Sequence, residues 1–294
     1  MILSINNLSK NYGRLKAVKN LSLNIEEGMI FGFLGPNGSG KTTTLGMVLD
    51  IIRPTSGSYE WFGGRYEADD ARKRIGTLLE TPNFFPYMSA VQNLEIIAHI
   101  RRVENPRIEE HLETVGLLNR RKSKFKTFSL GMKQRLAIAA ALIGDPEVLI
   151  FDEPTNGLDP QGIAEVREII MQVADSGKTI IMASHILHEV ERICSHVAII
   201  KQGELLATGT VGAIISDDVT IEVGAEDLDL LKSVYRGVSG LKGMDVKDGI
   251  LVLSVNKDIS AAELNKLAME RGVVLSYLNK KTKSLEAEFL EITK

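Results

Sequence analysis

A single cysteine, Cys194, stands in 294 residues, so the chain can close no internal disulfide. That fits a reducing cytosol, where Cys194 reads as a small buried apolar residue. No stretch approaches the ~18 unbroken apolar residues of a membrane span. The first residues, MILSINNLSKNYG, are too polar for a signal peptide. A formal net charge of -3 without a long basic run gives no global pull toward nucleic acid. Internal repeats and low-complexity segments are missing as well. These absences predict a cytosolic chain that serves a membrane, if at all, beside a separate subunit.

What is present is ample apolar material, 44% of residues, in a length that suits one large domain or two ordinary ones. The chain is organised around IFGFLGPNGSGKTTTLGMVLDII, residues 30 to 52. It reads as a buried strand, a glycine-rich turn, and a helix opening at Lys41. Within it Gly35, Gly40, Lys41 and Thr42 make the P-loop pattern G-x-x-x-x-G-K-T. Glycines let successive backbone N–H groups point inward at phosphate oxygens. The helix adds its unpaired N–H groups and positive dipole end at the same spot. Lys41 supplies a point charge for the β- and γ-phosphates, and the Thr42 hydroxyl can ligate Mg²⁺. Gly35, Asn37, Gly38, Ser39, Gly40, Lys41, Thr42 and Thr43 are therefore the nucleotide-binding candidates of this stretch. The pattern does not say what the nucleotide is used for.

Residues 1–29 alternate apolar and polar, with Gly13 and Gly28 as punctuation, and read as β-structure. RPTSGSYEWFGG reads as a hairpin turning at Pro54 and Gly57. Beyond the short apolar segment RIGTLLE the text becomes helical up to Asp145, in SAVQNLEIIAHIRRV, NPRIEEHLETVGL and SLGMKQRLAIAAALIG. Then apolar strands (EVLIFDEP, KTIIMASH) alternate with helices (DPQGIAEVREIIMQVADSG, ILHEVERICS), and a hairpin turns at Gln202-Gly203. Alternation of this kind implies a mainly parallel sheet covered on both faces, with ligands at the carboxyl ends of its strands. Residues 213–294 reset to strand–helix–strand–strand–helix–strand–helix, a compact α+β unit that could be ferredoxin-like. It carries no glycine-rich loop and no cluster of His or Cys.

Asp152 and Glu153 end the strand VLIFDEP. A carboxylate at the tip of a buried strand is costly without a charged partner, and nucleotide-bound Mg²⁺ would supply one to Asp152. Glu153, on the other face, suits polarising an attacking water; a plain strand-end acid pair is the alternative. His185 follows TIIMAS, where its imidazole could bond a γ-phosphate. His185 and His188 are also at metal-like spacing, but no third ligand is evident. His188 reads as a surface residue.

Taken in order, these segments resemble the ATP-binding subunit of an ABC (ATP-binding-cassette) transporter, over about residues 1–212. The resemblance rests on the P-loop, VLIFDEP, and Tyr12 at the place of the aromatic that stacks on adenine. It rests also on FSLGMKQR (Phe128 to Arg135) at the place of the family signature, NGLD (Asn156 to Asp159) at the D-loop, and His185 at the switch histidine. Judged alone, Tyr12 could be packing and FSLG an ordinary helix cap. In the family the signature, here Ser129 and Gly131, contacts the γ-phosphate held by a second copy, and Asp159 links the two sites. One P-loop and one signature per chain thus imply a dimer sandwiching two ATP molecules.

The sequence departs from that pattern in three places. Glu80 stands where the family usually has the Q-loop glutamine, as in ABC subunits that export peptide antibiotics such as bacitracin and lantibiotics, which this chain resembles. Glu80 is read as a functional residue and Mg²⁺ ligand, against the alternative of a solvated loop acid. Leu130 and Met132 replace the usual glycine and glutamine of the signature, and Leu130 should crowd the site. After Glu80, Phe84, Phe85, Tyr87 and Met88 load a proline-bounded loop with apolar surface. It is either a docking groove for a helix of a membrane subunit or satellite core.

The resemblance implies an α/β fold: a P-loop NTPase of the ABC type, with a mixed sheet core, an N-terminal antiparallel β part and a helical subdomain at about 84–145, plus a small C-terminal α+β domain. The ATP-binding domain would span 1–212 and the accessory domain 213–294. The expected function is the ATP-hydrolysing motor of an ABC exporter of peptide antibiotics, lantibiotics or related drugs, driving a separate transmembrane subunit. ATP and Mg²⁺ are the expected cofactors. Glu153, His185, Lys41 and Glu80 are the expected catalytic residues, and Thr42, Asp152 and Glu80 the metal ligands. The partners would be a second copy and a separate transmembrane permease, with the chain peripheral on the inner face of the cell membrane. The alternative, a soluble ABC ATPase acting on nucleic acid or ribosomes, fits less well because the chain lacks a basic patch and has no second cassette. A nucleotide-gated binding module without turnover is disfavoured by Glu153 and His185.

Overall fold

The computed structural model describes residues 1–79, 82–215, 218–256, 258–282 and 285–293. Glu80 lies outside them. The chain divides into two compact units, Met1–Val211 and Gly212–Ile292.

In the first unit β1 (Leu3–Tyr12) and β2 (Leu15–Ile25) form an antiparallel pair. β3 (Ile30–Leu34) leads into α1 (Lys41–Val48). β4 (Ser56–Trp61) then joins the free side of β1, giving a three-stranded antiparallel sheet in the order β2-β1-β4. The hairpin predicted at 53–64 is thus corrected to one strand. Gly57 does not turn the chain; it sits where β4 crosses β1, and a Cβ there would lie 2.3 Å from the Asn7 carbonyl oxygen.

α2 (Ala68–Lys73) is a short helix that the sequence reading omitted, and β5 (Ile75–Leu78) follows it. Next come α3 (Ala90–Ile100), α4 (Ile108–Thr114) and α5 (Leu130–Leu142). Ser89 and Gln92 close a reciprocal capping box at the start of α3. The alternating part then runs β6 (Val148–Asp152), α6 (Pro160–Asp175), β7 (Thr179–Ser184), α7 (Leu187–Ile193), β8 (His196–Lys201) and β9 (Glu204–Thr210). The six-stranded sheet has the order β5-β6-β7-β3-β8-β9, parallel except for β9. Every residue of β6 and β7 is buried, which is why both read as unbroken apolar runs. On α6 the buried Val166, Ile169, Ile170 and Val173 recur at three- and four-residue spacing, giving one apolar stripe. Strand order places the ends of β3, β6 and β7 side by side, and the loops leaving those ends carry the candidate residues.

Arg101, at the end of α3, ties this helix to its neighbours. Its guanidinium donates to the carbonyls of Ile143 and Ile75, each at 2.6 Å. Replacement by methionine keeps the stem and strands two acceptors. Arg101→Met should therefore lower stability by about 2 kcal/mol, seen as a lower urea midpoint at unchanged slope. An unchanged midpoint would show that water replaces the guanidinium without cost.

The second unit begins within α8 (Val211–Ile214). It continues β10 (Asp218–Ala225), α9 (Leu228–Tyr235), β11 (Leu241–Lys247), β12 (Ile250–Asn256), α10 (Ala261–Glu270), β13 (Leu275–Thr282) and α11 (Leu285–Ile292). Its sheet is antiparallel in the order β11-β12-β10-β13, the ferredoxin-like arrangement. Ile221, Val223, Leu231, Tyr235, Leu251, Leu253 and Leu264 form its own core, and the Tyr235 hydroxyl donates to the Leu264 carbonyl at 3.1 Å.

Candidate functional site

The turn between β3 and α1 is shaped by two close approaches. A Cβ on Gly35 would lie 2.2 Å from the Ile200 carbonyl oxygen, so only glycine lets the loop pass the end of β8. Gly40 has φ +108, and a Cβ there would lie 2.5 Å from the Ala17 carbonyl oxygen. Gly203 N donates to the Ser39 carbonyl at 2.9 Å, and Lys19 N to the Gly203 carbonyl at 2.7 Å. Thus the β8–β9 hairpin and β2 brace the loop from behind.

In front of the loop lies a cavity of about 620 Å³ lined by Tyr12, Arg14, Lys16, Lys19, Asn37, Gly38, Ser39, Gly40, Lys41, Thr42, Thr43, Glu153 and Gln202, among others. Its size and its ring of backbone N–H groups and cations suit a nucleotide. Tyr12 is about half exposed at the rim, where Lys10 Nζ sits 5.0 Å from its ring centroid. The lining shows residues that sequence reasoning missed. Arg14 and Lys16 follow Tyr12 in sequence and could have been suspected from that. Lys19 and Gln202 arrive through tertiary packing and left no local signal.

Lys41 is 5% exposed. Its ammonium donates to the Gly35 carbonyl at 2.7 Å and lies 3.5 Å from Glu153 Oε1. Glu153 follows β6 with a left-handed backbone, φ 51. Its Oε2 is 2.8 Å from His185 Nδ1, just past the end of β7. One carboxylate thereby joins the three loops that carry Lys41, Glu153 and His185. Asp152 is buried at the tip of β6. With Thr42, Glu153, Gln134 and Asn156 it lines a second cavity, of about 310 Å³. Oxygen and amide donors predominate there, a set that fits a hard cation such as Mg²⁺. Among the described residues there is no group of three or more His, Cys, Asp or Glu placed to hold a metal, and His188 is exposed.

Ser129 and Gly131 of the signature lie at another surface, whereas Leu130 and Gln134 also line the second cavity. Ser129 caps α5, its Oγ accepting from Met132 N at 3.3 Å. Asp159 caps α6, its Oδ1 accepting from Gly162 N at 2.8 Å. Ser129, Gly131 and Asp159 share a concavity of about 470 Å³ with Leu130, Arg135 and Gly157. Ser129 and Gly131 do not line the cavity in front of the P-loop. Leu130 is 44% exposed and leans over Gly157, where a Cβ would lie 3.3 Å from Leu130 Cδ2.

Cys194 packs under β3, and burial pushes its thiol up to about 12. The reactive thiolate is therefore scarce at neutral pH. Native protein should resist alkylation at pH 8 and label fully once unfolded. Rapid labelling of the folded chain would contradict this placement.

The sequence profile of the ABC transporter family matches residues 18–156, from the brace in β2 through the D-loop asparagine. An ABC transporter ATP-binding protein of Bacillus subtilis, YdbJ, is 35% identical over 99% of this chain and 95% of its own length. The chain belongs to the family of ABC transporter ATP-binding proteins. It is accordingly the ATPase subunit of a transporter and binds adenine nucleotide. The bacitracin transport ATP-binding protein BcrA of Bacillus licheniformis is 47% identical over 70% of this chain and 68% of its own. A solved structure described as a dimeric bacterial ABC transporter cassette superposes with a TM-score of 0.61 at 27% identity, covering 71% of this chain and 98% of that one. Cassettes of this family form dimers and work with transmembrane subunits. No helix among the described residues of this ABC subunit is long and apolar enough to cross a membrane.

Proposed function

We propose that this ABC subunit is the motor of a peptide-antibiotic exporter, peripheral on the inner face of the cell membrane and coupled to a separate permease. Its kinship with BcrA supports that cargo class. The alternative of a soluble ATPase acting on nucleic acid or ribosomes finds no support in these relatives.

The observation that carries the mechanism is the division of phosphate-binding groups between two surfaces of one chain. The P-loop, Lys41 and Glu153 line one cavity, with His185 bonded to Glu153, while Ser129 and Gly131 sit at another. A second copy, arranged head to tail, would bring its Ser129 hydroxyl and Gly131 N–H to the γ-phosphate held by the first. Ser129 uses its oxygen as acceptor toward Met132 N, so its proton is free to donate outward. Asp159 lies beside it, at the interface such a dimer would form. On ATP binding, the Lys41 ammonium exchanges the Gly35 carbonyl and Glu153 for phosphate oxygens. Glu153, released on that side but still held by His185, orients the attacking water. Tyr12 at the rim is placed to stack on adenine. Thr42 and Asp152 would hold Mg²⁺, which when bound neutralises phosphate charge. Asn37, Gly38, Ser39, Gly40 and Thr43 supply backbone and hydroxyl donors to the phosphates. Glu80 retains its proposed role beside Mg²⁺.

The loop after β5 supports a permease contact. Phe84 packs edge-on against Phe125 at 5.1 Å between centroids. Phe85, Tyr87 and Met88 are 56%, 72% and 36% exposed, an apolar surface that a permease helix would cover. Co-purification from membranes tests this reading. Tagged chain should retain a polytopic membrane protein and show vanadate-sensitive ATPase activity. Recovery of no membrane protein, with activity intact, would overturn the permease assignment.

A further inference from the structure

The segment 118–127, LNRRKSKFKT, holds five cations and no carboxylate, against a chain whose net charge is -3. The sequence reading that the chain lacks a basic patch is corrected here. Arg120, Lys122, Lys124 and Lys126 are all exposed. None of the four makes an ion pair among the described residues; Arg121, turned partly inward, pairs with Glu109 at 3.3 Å. The segment is fixed to the aromatic loop by backbone hydrogen bonds. Phe125 N donates to Met88 O at 2.9 Å, Lys126 N to Pro86 O at 2.9 Å, Val91 N to Arg121 O at 3.1 Å and Ala90 N to Ser123 O at 3.3 Å. Lys126 Nζ stands 4.9 Å from the centroid of the Tyr87 ring. Basic side chains and an exposed tyrosine therefore share one rigid piece of surface.

We propose that this strip lies against anionic lipid headgroups when the subunit is at the membrane. The inference rests on the reading that residues 84–88 dock on a permease, since that contact would bring the attached strip close to the bilayer. The chemistry fits a lipid surface. Unpaired cations on flexible stems reach phosphate groups without a shaped pocket, and tyrosine suits the boundary between headgroup and chain. The field is also local, in a chain of opposite overall sign, so it acts on a flat surface touched at one edge. Each cation near an anionic leaflet contributes roughly a five-fold factor in partition.

The test uses the full chain without a permease. Binding is measured to vesicles of phosphatidylcholine alone and of phosphatidylcholine mixed equally with phosphatidylglycerol. Binding should occur only to the anionic vesicles and fade as the Debye length shrinks from ~10 Å at 0.1 M salt to ~3 Å at 1 M. Combining Arg120→Gln, Lys122→Gln, Lys124→Gln and Lys126→Gln should weaken it on the order of a hundred-fold or more, with ATPase activity retained as proof of folding. Tyr87→Ala should weaken it several-fold at constant charge. Equal binding to both vesicles, binding unaffected by the four substitutions, or tighter binding to an RNA oligonucleotide than to the anionic vesicles would each overturn the proposal. Failure of the unsubstituted chain to bind either vesicle, alongside intact permease co-purification, would refute the lipid contact and leave the motor reading standing.

Discussion

Glu153→Gln should lower ATP turnover by about 100- to 10,000-fold while leaving ATP binding intact. The substitution preserves shape but removes the charge that polarises water. Folding should survive it. Lys41 keeps its 2.7 Å bond to the Gly35 carbonyl, and the glutamine oxygen can still face His185 Nδ1. Loss of the carboxylate also removes the negative charge 3.5 Å from Lys41 that competes with phosphate for its ammonium. Nucleotide should therefore be held at least as tightly as in the wild type, and the ATP-bound dimer should accumulate. Turnover and nucleotide retention on a desalting column separate the two effects. Wild-type turnover would remove Glu153 from the mechanism, and loss of binding with turnover would make it structural.

Gly40→Ala should abolish nucleotide binding and cost about 3 kcal/mol of stability. Two effects add at this position. The backbone φ of +108 suits glycine alone, and the new Cβ would fall 2.5 Å from the Ala17 carbonyl oxygen and 3.3 Å from Val18 Cγ2. Relief requires moving β2, which is itself held to Gly203, or moving the loop, which misaims its N–H groups. Gly38→Ala is the matched control. Gly38 also has positive φ, +78, but nothing lies within 4 Å of its Cβ position. It should cost about 1–2 kcal/mol, from backbone strain alone. Equal effects of the two substitutions would show that crowding behind the loop is unimportant.

The contrast between these glycines shows where sequence is and is not readable. The G-x-x-x-x-G-K-T spacing located the phosphate loop because its function is written in consecutive residues. Likewise β6 and β7 were legible because strands buried on both faces leave no polar alternation. Gly57 was misread as a turn because a glycine needed for strand crossing looks the same in sequence as one needed for reversal. α2 was missed because ADDARK has one buried residue, Ala71, and no apolar period; ion pairs of Arg72 with Asp69 and Lys73 with Asp70 accompany it. Lys19 and Gln202 reach the nucleotide cavity only because β2 and the β8–β9 hairpin fold behind the loop. The basic strip was overlooked because Ser123 and Phe125 interrupt it in sequence, while pairing with residues 86–91 consolidates it in space.

The division of one site between two copies is tested most directly by mixing two inactive variants. Lys41→Ala disables the P-loop, and Ser129→Arg disables the signature. In a mixed dimer one site combines both lesions and the other is intact. Mixing the two proteins in equal amounts should restore vanadate-trapped nucleotide to about a quarter of the wild-type level, because about half of randomly paired dimers are mixed and each has one intact site of two. Trapping that stays at the level of the separate variants would contradict a site completed by the second copy.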